Sequence, residues 1–366
     1  MSTQIHHFFT PLPPRELDRY LSSGWRPAGQ GIYTADFLRA DDEEIYGCIQ
    51  VRLPLEEFAF KKRHRKLLNR NNSRFKVTYG QAVEPDEELL ELNQRYMVVH
   101  PDKTREDLDL HVKGEYLVKV LDTRIIRVYD GDKLVAFSYF DLGKETAYTK
   151  AGIYDPAYAS FSLGIYTMLL EITWLKDRGT KFYHPGYVSP GYAVFDYKLQ
   201  FGEMEFRQVH TGRWLAFDRN HPEDLYSDNE LALQLVVDAV KDQVTAELMD
   251  YPSFTARYHY QSPSLNLLDC PLLIRIYADA TNWGGYVVTY DVELREYQLL
   301  HTRDTSLRDV NVKLFSNNGR PRIPNPLSIA KVLLATPAIP EVTDAIVQLF
   351  SKSGVEKDDE NDHQEH

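Results

Sequence analysis

The chain has 366 residues, 43% of them hydrophobic, so it can bury a core for two domains of ordinary size, or for one duplicated domain plus an addition. Its two cysteines, Cys48 and Cys270, are too few and too far apart for a disulfide framework and fit a reducing cytoplasm. No apolar run reaches roughly 18 residues and the N-terminus carries no signal-peptide pattern, so we expect a cytoplasmic protein with no membrane partner.

The net charge of −12 is unevenly distributed along the chain. Residues 218–366 hold 24 acidic and 13 basic side chains, a net charge of −11, which leaves 30 acids and 29 bases in residues 1–217. Within the near-neutral first part, residues 58–83 contain eight Lys and Arg and no acid. A dense basic segment of this kind is compatible with a polyanionic partner.

Strand and helix signals alternate through the first part of the chain. Apolar periodicity and Pro, Gly and Asp-Gly boundaries define these elements. We expect, in order, a helix at 14–24, strands at 31–37 and 46–55, a basic helix at 59–71, a strand at 74–83, a helix at 85–101, a hairpin at 123–142 around Asp130-Gly131, a strand at 146–154, a helix at 163–178, a strand at 181–187 and a closing segment at 208–217.

A boundary is expected at residues 218–225, and a strong helix follows over 227–249 with Ser227 or Asp228 as its N-cap. Three β-like segments and a final helix come after it. We therefore divide the chain into a first domain (1–217), an additional acidic α+β domain of unknown role (222–352) and a polar, disordered tail (353–366).

The segment 151–202 has the outline of an acyl-transfer site: a strand, a Ser-Leu-Gly turn, a helix, a second strand and a Tyr/Gly/Pro loop. The N–H groups of a strand-to-helix turn form a natural anion site. Where GNAT acyltransferases hold the CoA pyrophosphate, this chain has Phe161, Gly164 and Tyr166, and the bulky rings argue against CoA. Gly164 either serves the geometry of a tight turn or belongs to another ligand site, and the pattern alone favours the turn.

Four segments in this order resemble the aminoacyl-tRNA–protein transferases, the arginyl- and leucyl-transferases of the N-degron pathway. They are LSSGWRPAGQGIY (21–33), YGCIQVRLPLEEFAFKKRHRKLLNRN (46–71), AGIYDPAYASFSLGIYTMLLEI (151–172) and GTKFYHPGYVSPGYAVFDYKLQFG (179–202). They resemble the family's Gly-Phe-Arg-Arg-Ser-Gly segment, its Cys-x-Pro-x-Arg strand with a basic helix, its Tyr-Asp-Pro…Ser-Leu-Gly-x-Tyr segment and its Lys-Met-x-Tyr-Lys loop. The resemblance covers roughly residues 12–217.

The resemblance implies an α+β, GNAT-like mixed sheet flanked by helices, single or duplicated, followed by the additional C-terminal α+β domain. It implies an aminoacyl-tRNA as donor, the N-terminus of a protein or peptide as acceptor, and no need for CoA. The turn residues Ser162, Gly164 and Tyr166, with Gly186, would then bound a pocket for the acceptor end of the tRNA or for the aminoacyl group.

The catalytic candidates are Tyr187, Tyr197, Lys198 and Asp155. The reaction requires an enzyme that holds both substrates, deprotonates an amine and stabilises an oxyanion, and hydroxyl and amine donors on a rigid loop suit the last task. The alternative for the two tyrosines is packing in the core or at the rim, and for Lys198 a solvated surface position. Asp155 either orients the acceptor amine or is a turn residue before Pro156, and the pattern favours the turn.

Arg52, Arg63, Arg65 and Arg70 are candidates for contacts with tRNA phosphates. For the three on the basic helix the alternative is a solvated basic face. Arg52 differs because a charge flanked by strand residues usually has a partner.

Two departures from the family pattern matter. Of the family's N-terminal cysteine cluster only Cys48 is present, so we expect no metal or iron–sulfur cofactor. Val194-Phe195 replaces the Lys-Met of the family loop and removes a lysine from the site. Three hypotheses therefore stand: an aminoacyl-tRNA–dependent transferase, a binding protein that retains the fold without the activity, and an acyltransferase with another small activated donor, which the missing pyrophosphate loop disfavours.

Overall fold

The computed structural model of the chain describes residues 4–101, 104, 106–220, 222–259, 265–277, 285–305, 307 and 312–359. Its strands are β1 (Gln4–His6), β2 (Arg26–Ala28), β3 (Gly31–Thr34), β4 (Phe37–Arg39), β5 (Ile45–Gly47), β6 (Ile49–Pro54), β7 (Lys76–Gln81), β8 (Asp122–Asp130), β9 (Lys133–Leu142), β10 (Thr146–Tyr154), β11 (Phe182–Val188), β12 (Glu205–Arg207), β13 (Trp214–Ala216), β14 (Ala246–Asp250), β15 (Leu272–Ile276), β16 (Gly285–Asp291), β17 (Glu296–Asp304) and β18 (Leu327–Thr336). Its α-helices are α1 (Pro14–Ser22), α2 (Lys62–Asn72), α3 (Glu87–Val99), α4 (Asp109–Val112), α5 (Leu163–Lys176), α6 (Leu225–Val240), α7 (Ala256–His259) and α8 (Ile339–Asp359). Short 3₁₀ helices span Pro156–Phe161, Ala193–Gln200 and Pro252–Thr255.

Eight strands of the first part form one sheet in the order β13-β12-β6-β11-β10-β9-β8-β7. β10 and β11 are parallel, and the other neighbours in this sheet pair antiparallel within the described residues. Parallel neighbours need a crossover connection, and α5 provides it. The predicted mixed sheet flanked by helices is confirmed, as is the position of the 163–178 helix after a central strand. Over the described residues this sheet is single rather than duplicated.

Hydrophobic clusters cover both faces of the eight-stranded sheet. On the central strand β9, Val135 and Phe140 join the cluster that contains α5. Phe137 and Tyr139 of the same strand join the cluster that contains α3. A strand covered on both faces reads as a nearly continuous apolar run, which explains the sequence of β9. Nine residues of α5 are buried, in keeping with a helix that is apolar almost all round.

Asp18 on α1 fixes this helix to the turn between β9 and β10. Its carboxylate accepts hydrogen bonds from consecutive backbone N–H groups and from one hydroxyl. The donors are the N–H groups of Lys144 (3.2 Å), Glu145 (3.1 Å) and Thr146 (3.1 Å) and the Thr146 hydroxyl (2.6 Å). α1 also leads into the small sheet β1-β3-β2, so this contact positions the N-terminal segment against the large sheet.

A second, antiparallel sheet has the order β14-β15-β16-β17-β18. α6 and α8 pack on one of its faces. The other face is covered by the β4–β5 ribbon, whose Phe37 and Ile45 belong to the core on that side. Glu44 in the same ribbon accepts a hydrogen bond of 2.8 Å from the buried Arg322. A ribbon from the first part of the chain is therefore built into the core of the second sheet.

The helix predicted over 227–249 was wrong in its bounds. α6 ends at Val240, and its N-cap is Asp224, whose carboxylate accepts the N–H groups of Tyr226 and Ser227. The last residues of the predicted helix instead form β14 at the edge of the second sheet. Pairing with β15 outweighs the local helical preference of this segment.

The predicted domain boundaries stay a prediction, since the two large sheets are compatible with them but the β4–β5 ribbon crosses the proposed division. The disordered tail (353–366) likewise stays a prediction, although α8 extends into it as far as Asp359. Residues 360–366 of the predicted tail lie outside the described residues.

Both cysteines, Cys48 and Cys270, are free and buried. Among the described residues, the helices do not combine the length and apolar character needed to cross a membrane. The same residues contain no cluster of three or more His, Cys, Asp or Glu arranged to hold a metal ion.

We expect Asp18→Ala to lower the free energy of unfolding by about 1–3 kcal/mol, because backbone donors in the β9–β10 turn lose a charged acceptor. Urea denaturation followed by circular dichroism measures this change. Asp132→Ala in the exposed β8–β9 turn is the control and should change stability by less than about 0.5 kcal/mol. Equal losses in the two variants would show that the Asp18 contacts do not hold α1 in place.

Candidate active site

A cleft of about 670 Å³ opens between β10 and β11. It brings together the loop after β11, the turn before α5 and the side of β10, as the sequence predicted for the loop and the turn. Its lining includes Tyr96, Ser138, Tyr148, Lys150, Ser162, Gly164, Met168, Glu171, Tyr187, Val194, Phe195, Tyr197 and Lys198.

Pro185 and Gly186 account for the separation of the two strands. The parallel pairing ends with Tyr148 opposite His184, directly before Pro185. Proline has no N–H to donate to the ladder. The following Gly186 has φ of +103°, a conformation that residues with a side chain rarely adopt. β11 then continues beside β6 with a shifted register, and the space that opens between β11 and β10 is the cleft.

Lys198 enters the cleft from the 3₁₀ helix that follows β11. It is only 7% exposed, and its ammonium donates a hydrogen bond of 2.9 Å to the carbonyl oxygen of Tyr187. Burial, reinforced by the charge of Arg26, lowers the pKa of Lys198 to about 7. A Cβ at Gly186 would lie 3.0 Å from Lys198 Nζ, so the glycine also makes room for this amine. Lys198 is therefore a buried cleft residue and not a solvated surface lysine.

Aromatic side chains surround Lys198. Its Nζ lies 4.8 Å from the ring centroid of Tyr187 and 4.5 Å from that of Phe195. These two rings pack edge to face at 4.7 Å. Burial raises the pKa of Tyr187 and of Tyr148 on the opposite strand, so both hydroxyls stay protonated and can donate. Tyr197 also lines the cleft and is 47% exposed, which places it at the rim.

The turn before α5 forms the facing wall of the cleft. Ser162, the residue before the helix, has left-handed backbone angles (φ 52°, ψ 47°), and its side chain makes no capping hydrogen bond. Gly164 lies inside the first helical turn and does not have a positive φ, so the unusual geometry expected there belongs to Ser162 instead. The first N–H groups of α5, with the partial positive charge of a helix N-terminus, lie at this wall.

Tyr166 is not part of the cleft lining, contrary to the sequence prediction. It is fully buried, and its hydroxyl donates a hydrogen bond of 2.6 Å to the Asn72 side chain on α2. Tyr166 is two residues beyond Gly164, a rotation of about 200° around the helix, so its ring points away from the cleft and toward α2. Tyr166 therefore holds α2 and α5 together.

Asp155 also lies outside the cleft lining. Its carboxylate caps the 3₁₀ helix by accepting the Ala157 N–H at 3.0 Å, and it forms ion pairs with Lys133 at 2.8 Å and Arg95 at 3.3 Å. Burial tends to raise the pKa of Asp155, but the hydrogen bond from Lys133 and the other contacts outweigh it, and the pKa is lowered. The structure thus gives Asp155 the turn role that the pattern favoured, in place of a catalytic one.

Arg52 has a structural partner rather than a position facing the cleft. It forms a 2.7 Å ion pair with Glu205 across the β6–β12 pair. Its guanidinium also lies over the rings of Phe182 (3.8 Å) and Trp214 (4.3 Å). The expectation of a partner is confirmed, and these contacts argue against a phosphate contact.

α2 and the residues beside it present an exposed basic surface next to the cleft. Its exposed basic residues are Lys61, Lys62, Arg63, Arg65, Lys66, Arg70, Arg74 and Lys76. Arg63 donates to the carbonyl of Gln200 at 2.7 Å, and Asn71 donates to the carbonyl of Phe161 at 2.9 Å. Arg65 donates to the carbonyl of Phe60 and Arg70 to the side chain of Asn71, and Arg70 also lies 5.4 Å from the ring centroid of Phe161. This basic surface therefore adjoins both the 3₁₀ helix that carries Lys198 and the turn before α5.

Three charged groups of the site were missed by the sequence analysis. Glu171 on α5 is fully buried and accepts a hydrogen bond of 2.8 Å from the Tyr183 hydroxyl, and burial raises its pKa to about 7. Lys150 lines the cleft and forms a buried 2.9 Å ion pair with Asp141. Arg26 lies 4.3 Å from the Tyr187 ring. Glu171 is a charge within an apolar stretch and Lys150 a charge within a predicted strand, the signal that identified Arg52, whereas the residues around Arg26 give no such signal.

We expect Gly186→Ala to lower the free energy of unfolding by at least about 2 kcal/mol, because it combines a strained φ with crowding of the Lys198 amine. Gly179→Ala is the matched control. Gly179 also has a positive φ (+71°), but a Cβ there would meet no atom within 4 Å, so only the strain of about 1 kcal/mol applies. Chemical denaturation of both variants measures the difference, and equal losses would show that Gly186 is not needed for space beside Lys198.

Comparisons with known proteins agree with the resemblance seen in the sequence. Residues 87–208 match the family model described as arginine-tRNA-protein transferase, C terminus. An aspartate/glutamate leucyltransferase of Leptospira interrogans is 27% identical over 227 residues, covering 59% of this chain and 85% of that protein. One of Paracoccus denitrificans is 26% identical over 247 residues, covering 63% of this chain and 82% of that protein.

Solved structures show only a distant likeness. L-PGS from Bacillus licheniformis has a TM-score of 0.31 and 14% identity, over 49% of this chain and 52% of that one. FemX has a TM-score of 0.34 and 11% identity, over 50% of this chain and 64% of that one. The sheet topology described above, and not these two structures, establishes the fold. Residues 87–208, which carry most of the cleft lining, are thus similar to the C-terminal part of the arginine-tRNA-protein transferases, and the longer matches are to aspartate/glutamate leucyltransferases.

Proposed function

We propose that this protein transfers leucine from leucyl-tRNA to the N-terminal α-amine of a protein that begins with aspartate or glutamate, in the cytoplasm. The observation that carries the proposal is Lys198: a buried amine, with a pKa near 7, in the cleft between the separated strands. An aminoacyl ester is already activated, so the enzyme needs mainly to hold both substrates and to move one proton.

Lys198 has the properties of the proton acceptor. In its neutral form the amine can donate one N–H to the Tyr187 carbonyl and keep its lone pair for a proton. The acceptor amine attacks the ester carbon and loses a proton to Lys198, the bond to the ribose oxygen breaks, and the same proton passes to that oxygen. The products are a new peptide bond and a free ribose hydroxyl.

The developing oxyanion needs donors that are already in place. The phenol groups of Tyr187 and Tyr148 stay protonated and lie beside Lys198, and Tyr197 adds a hydroxyl at the rim. The first residues of α5 line the same cleft, where the helix N-terminus adds partial positive charge.

The tRNA would approach from the side of the basic surface around α2. This surface adjoins the mouth of the cleft through the contacts of Arg63 with Gln200 and of Asn71 with Phe161. The terminal adenine would stack on the aromatic rim, since base stacking on an aromatic side chain tolerates any base. The leaving tRNA would then be held mostly by phosphate contacts.

The identity of the amino acid is proposed on two grounds. The relatives reported above are named leucyltransferases, and the cleft has an apolar wall of Leu163, Ile165 and Met168 on α5. The buried acid of the cleft, Glu171, has a pKa near 7 and already accepts a hydrogen bond from Tyr183, so it is a poor partner for a permanently charged arginine.

A binding protein that retains the fold without the activity is the second candidate. The observation that favours it is the cleft position of Val194 and Phe195, where the family pattern has lysine and methionine. The assay that separates the two candidates supplies labelled leucyl- or arginyl-tRNA and peptides that begin with Asp, Glu, Arg or Lys. Leucine transfer to the acidic peptides supports the proposal, and binding of both substrates without transfer supports the second candidate.

We expect the triple substitution of Arg63, Arg65 and Arg70 by Glu to weaken tRNA binding by 100-fold or more at low salt and to reduce its salt dependence, because phosphate contacts are lost. Filter binding over a range of salt concentrations measures both quantities. The charge-matched control replaces the exposed Arg219, Lys241 and Arg303 by Glu and should bind tRNA within about threefold of the wild type. Equal weakening in both triple variants would point to net charge alone.

We expect kcat/KM for transfer to rise with pH through about 7, because Lys198 accepts a proton only when it is neutral and its pKa is lowered to about 7. Lys198→Ala should lower kcat/KM on the order of 100-fold. Lys198→Arg should also be slow, since it restores the charge but not the proton acceptor. pH–rate profiles of the three proteins measure this.

The acceptor α-amine itself titrates near pH 8 in every variant, so the enzyme group is read from the difference between profiles. Glu171→Gln is the control for the other group in the cleft with a pKa near 7, and it should keep the rise. If the rise of kcat/KM with pH is lost in Glu171→Gln and kept in Lys198→Arg, the base is Glu171 and not Lys198.

A further inference from the structure

A second space of about 650 Å³ lies directly beside the cleft. The two spaces share the lining residues Leu38, Arg39 and Tyr187, so they adjoin at the Tyr187 ring. The second space is bounded by the small sheet β1-β3-β2 and by the segment after α4. Arg26, the first residue of β2, lines it.

Arg26 is a buried cation without an anionic partner. It is 2% exposed, and its Nη2 donates one long hydrogen bond, 3.3 Å, to the carbonyl of Ala35. Its Nε and Nη1 have no hydrogen-bond partner, and Arg26 forms no ion pair with any residue that the structure describes. The Asp36 carboxyl is near enough to interact through its charge, but no hydrogen bond joins it to Arg26.

The remaining groups around Arg26 are neutral. Its guanidinium lies 4.6 Å from the ring centroid of Tyr33 and 4.3 Å from that of Tyr187. Burial raises the pKa of the neighbouring Cys48 thiol to about 11, so the thiol is uncharged at neutral pH. Ring contacts compensate only part of the cost of burying a charge.

Other buried arginines show what a purely structural role looks like in this protein. Arg52 also lies over two rings, yet it has Glu205 at 2.7 Å. Arg322 is 1% exposed and has Glu44 at 2.8 Å. Arg26 has the same packing and lacks the carboxylate, and it faces a space large enough to admit one.

We propose that Arg26 binds the side-chain carboxylate of the acceptor's first residue, and that the second space is the acceptor site. This inference rests on the proposed function, since it places the acceptor amine at Lys198. The Nη2 N–H that does not bond to Ala35 forms a two-donor edge with either Nε or Nη1, and such a planar edge matches a carboxylate in bidentate geometry. The selectivity for N-terminal aspartate and glutamate would then reside in Arg26.

The distances fit a single residue. Both cations lie against the Tyr187 ring: Arg26 Cζ is 4.3 Å and Lys198 Nζ 4.8 Å from its centroid, so the separation of these two atoms cannot exceed the sum of the two distances. A paired carboxylate stands about 2.7–2.9 Å from a guanidinium nitrogen. A proton acceptor stands about 2.6–3.2 Å from its amine. At this upper limit the span left over is about that of one aspartate or glutamate, from α-amine to side-chain carboxylate, and a longer segment would not fit between the two groups.

The arrangement favours the acceptor over the tRNA as the ligand of Arg26. The exposed basic surface around α2 adjoins the cleft at the 3₁₀ helix and at the turn before α5, and none of its residues lines the second space. A tRNA held on that surface reaches the cleft without passing Arg26. Two substrates that enter from different sides also meet without displacing each other.

The test measures binding of short peptides by isothermal titration calorimetry, with no tRNA present, so that it does not depend on transfer. Peptides that begin with Asp are compared with peptides that begin with Asn, which has the same shape and no charge. The wild type should bind the Asp peptide about 10- to 100-fold more tightly, the range expected for charged hydrogen bonds. Arg26→Gln should bring this ratio near one, and Arg26→Lys should keep part of it.

Arg52→Gln is the matched control, because it removes a ring-stacked arginine that lines neither space, and its Asp/Asn ratio should equal that of the wild type. A wild type without preference for Asp overturns the proposal, and this comparison needs no variant to fold. A ratio unchanged in Arg26→Gln overturns it, as does weaker tRNA binding in Arg26→Gln with peptide binding intact. A wild type that prefers Asp peptides but transfers no amino acid leaves Arg26 as the acceptor site and refutes the proposed function instead.

Discussion

The site depends on one interruption in a β-ladder. Up to His184, β11 pairs with β10 as an ordinary parallel strand. Pro185 has no N–H to donate, so the hydrogen-bond ladder with β10 ends there. Gly186 then has a positive φ that changes the direction of the strand, and the residues from Gly186 to Val188 pair with β6 and not with β10. The cleft, the buried position of Lys198 and the exposure of the Tyr187 ring to both spaces follow from this break, and α5 keeps the two strands fixed beyond it.

Three buried basic side chains in the first part of the chain have three different surroundings. Lys150 is paired with Asp141, and its charge is matched inside the protein. Lys198 forms no ion pair with an acid among the described residues, and burial lowers its pKa until the neutral form is accessible. Arg26 cannot lose its proton; it lies against the rings of Tyr33 and Tyr187 and forms no ion pair within the described part of the chain. The first arrangement needs no ligand, whereas Lys198 is left able to accept a proton and Arg26 is left as a cation that a carboxylate would stabilise, and perturbed groups of this kind mark a functional site.

Much of the fold and part of the candidate site could be predicted from the sequence. The predictions that were wrong share one cause, which is that sequence signals are local. Periodicity and turn residues predicted the helix after β10 and the loop that carries Lys198, because those signals are local. Tyr166 was assigned to the wrong wall because spacing does not tell which face of a fully apolar helix meets α2 and which meets the cleft. The sequence alone does not distinguish the roles of Arg52 and Arg26. In the tertiary structure Arg52 is paired with Glu205, whereas Arg26 is paired with no carboxylate among the described residues. β14 was predicted as helix because its partner strand is distant in the chain.

The β4–β5 ribbon joins the two large sheets in a way that affects the site. Phe37 and Ile45 fill the core of the second sheet, while Leu38 and Arg39 of the same ribbon line both spaces around Tyr187. One short hairpin thus has one surface in the acidic C-terminal part and the other at the two spaces. The C-terminal addition is consequently an internal brace of the wall that the two spaces share, so removing it would take away the support of that wall, and mutations within it would change the shape of both spaces.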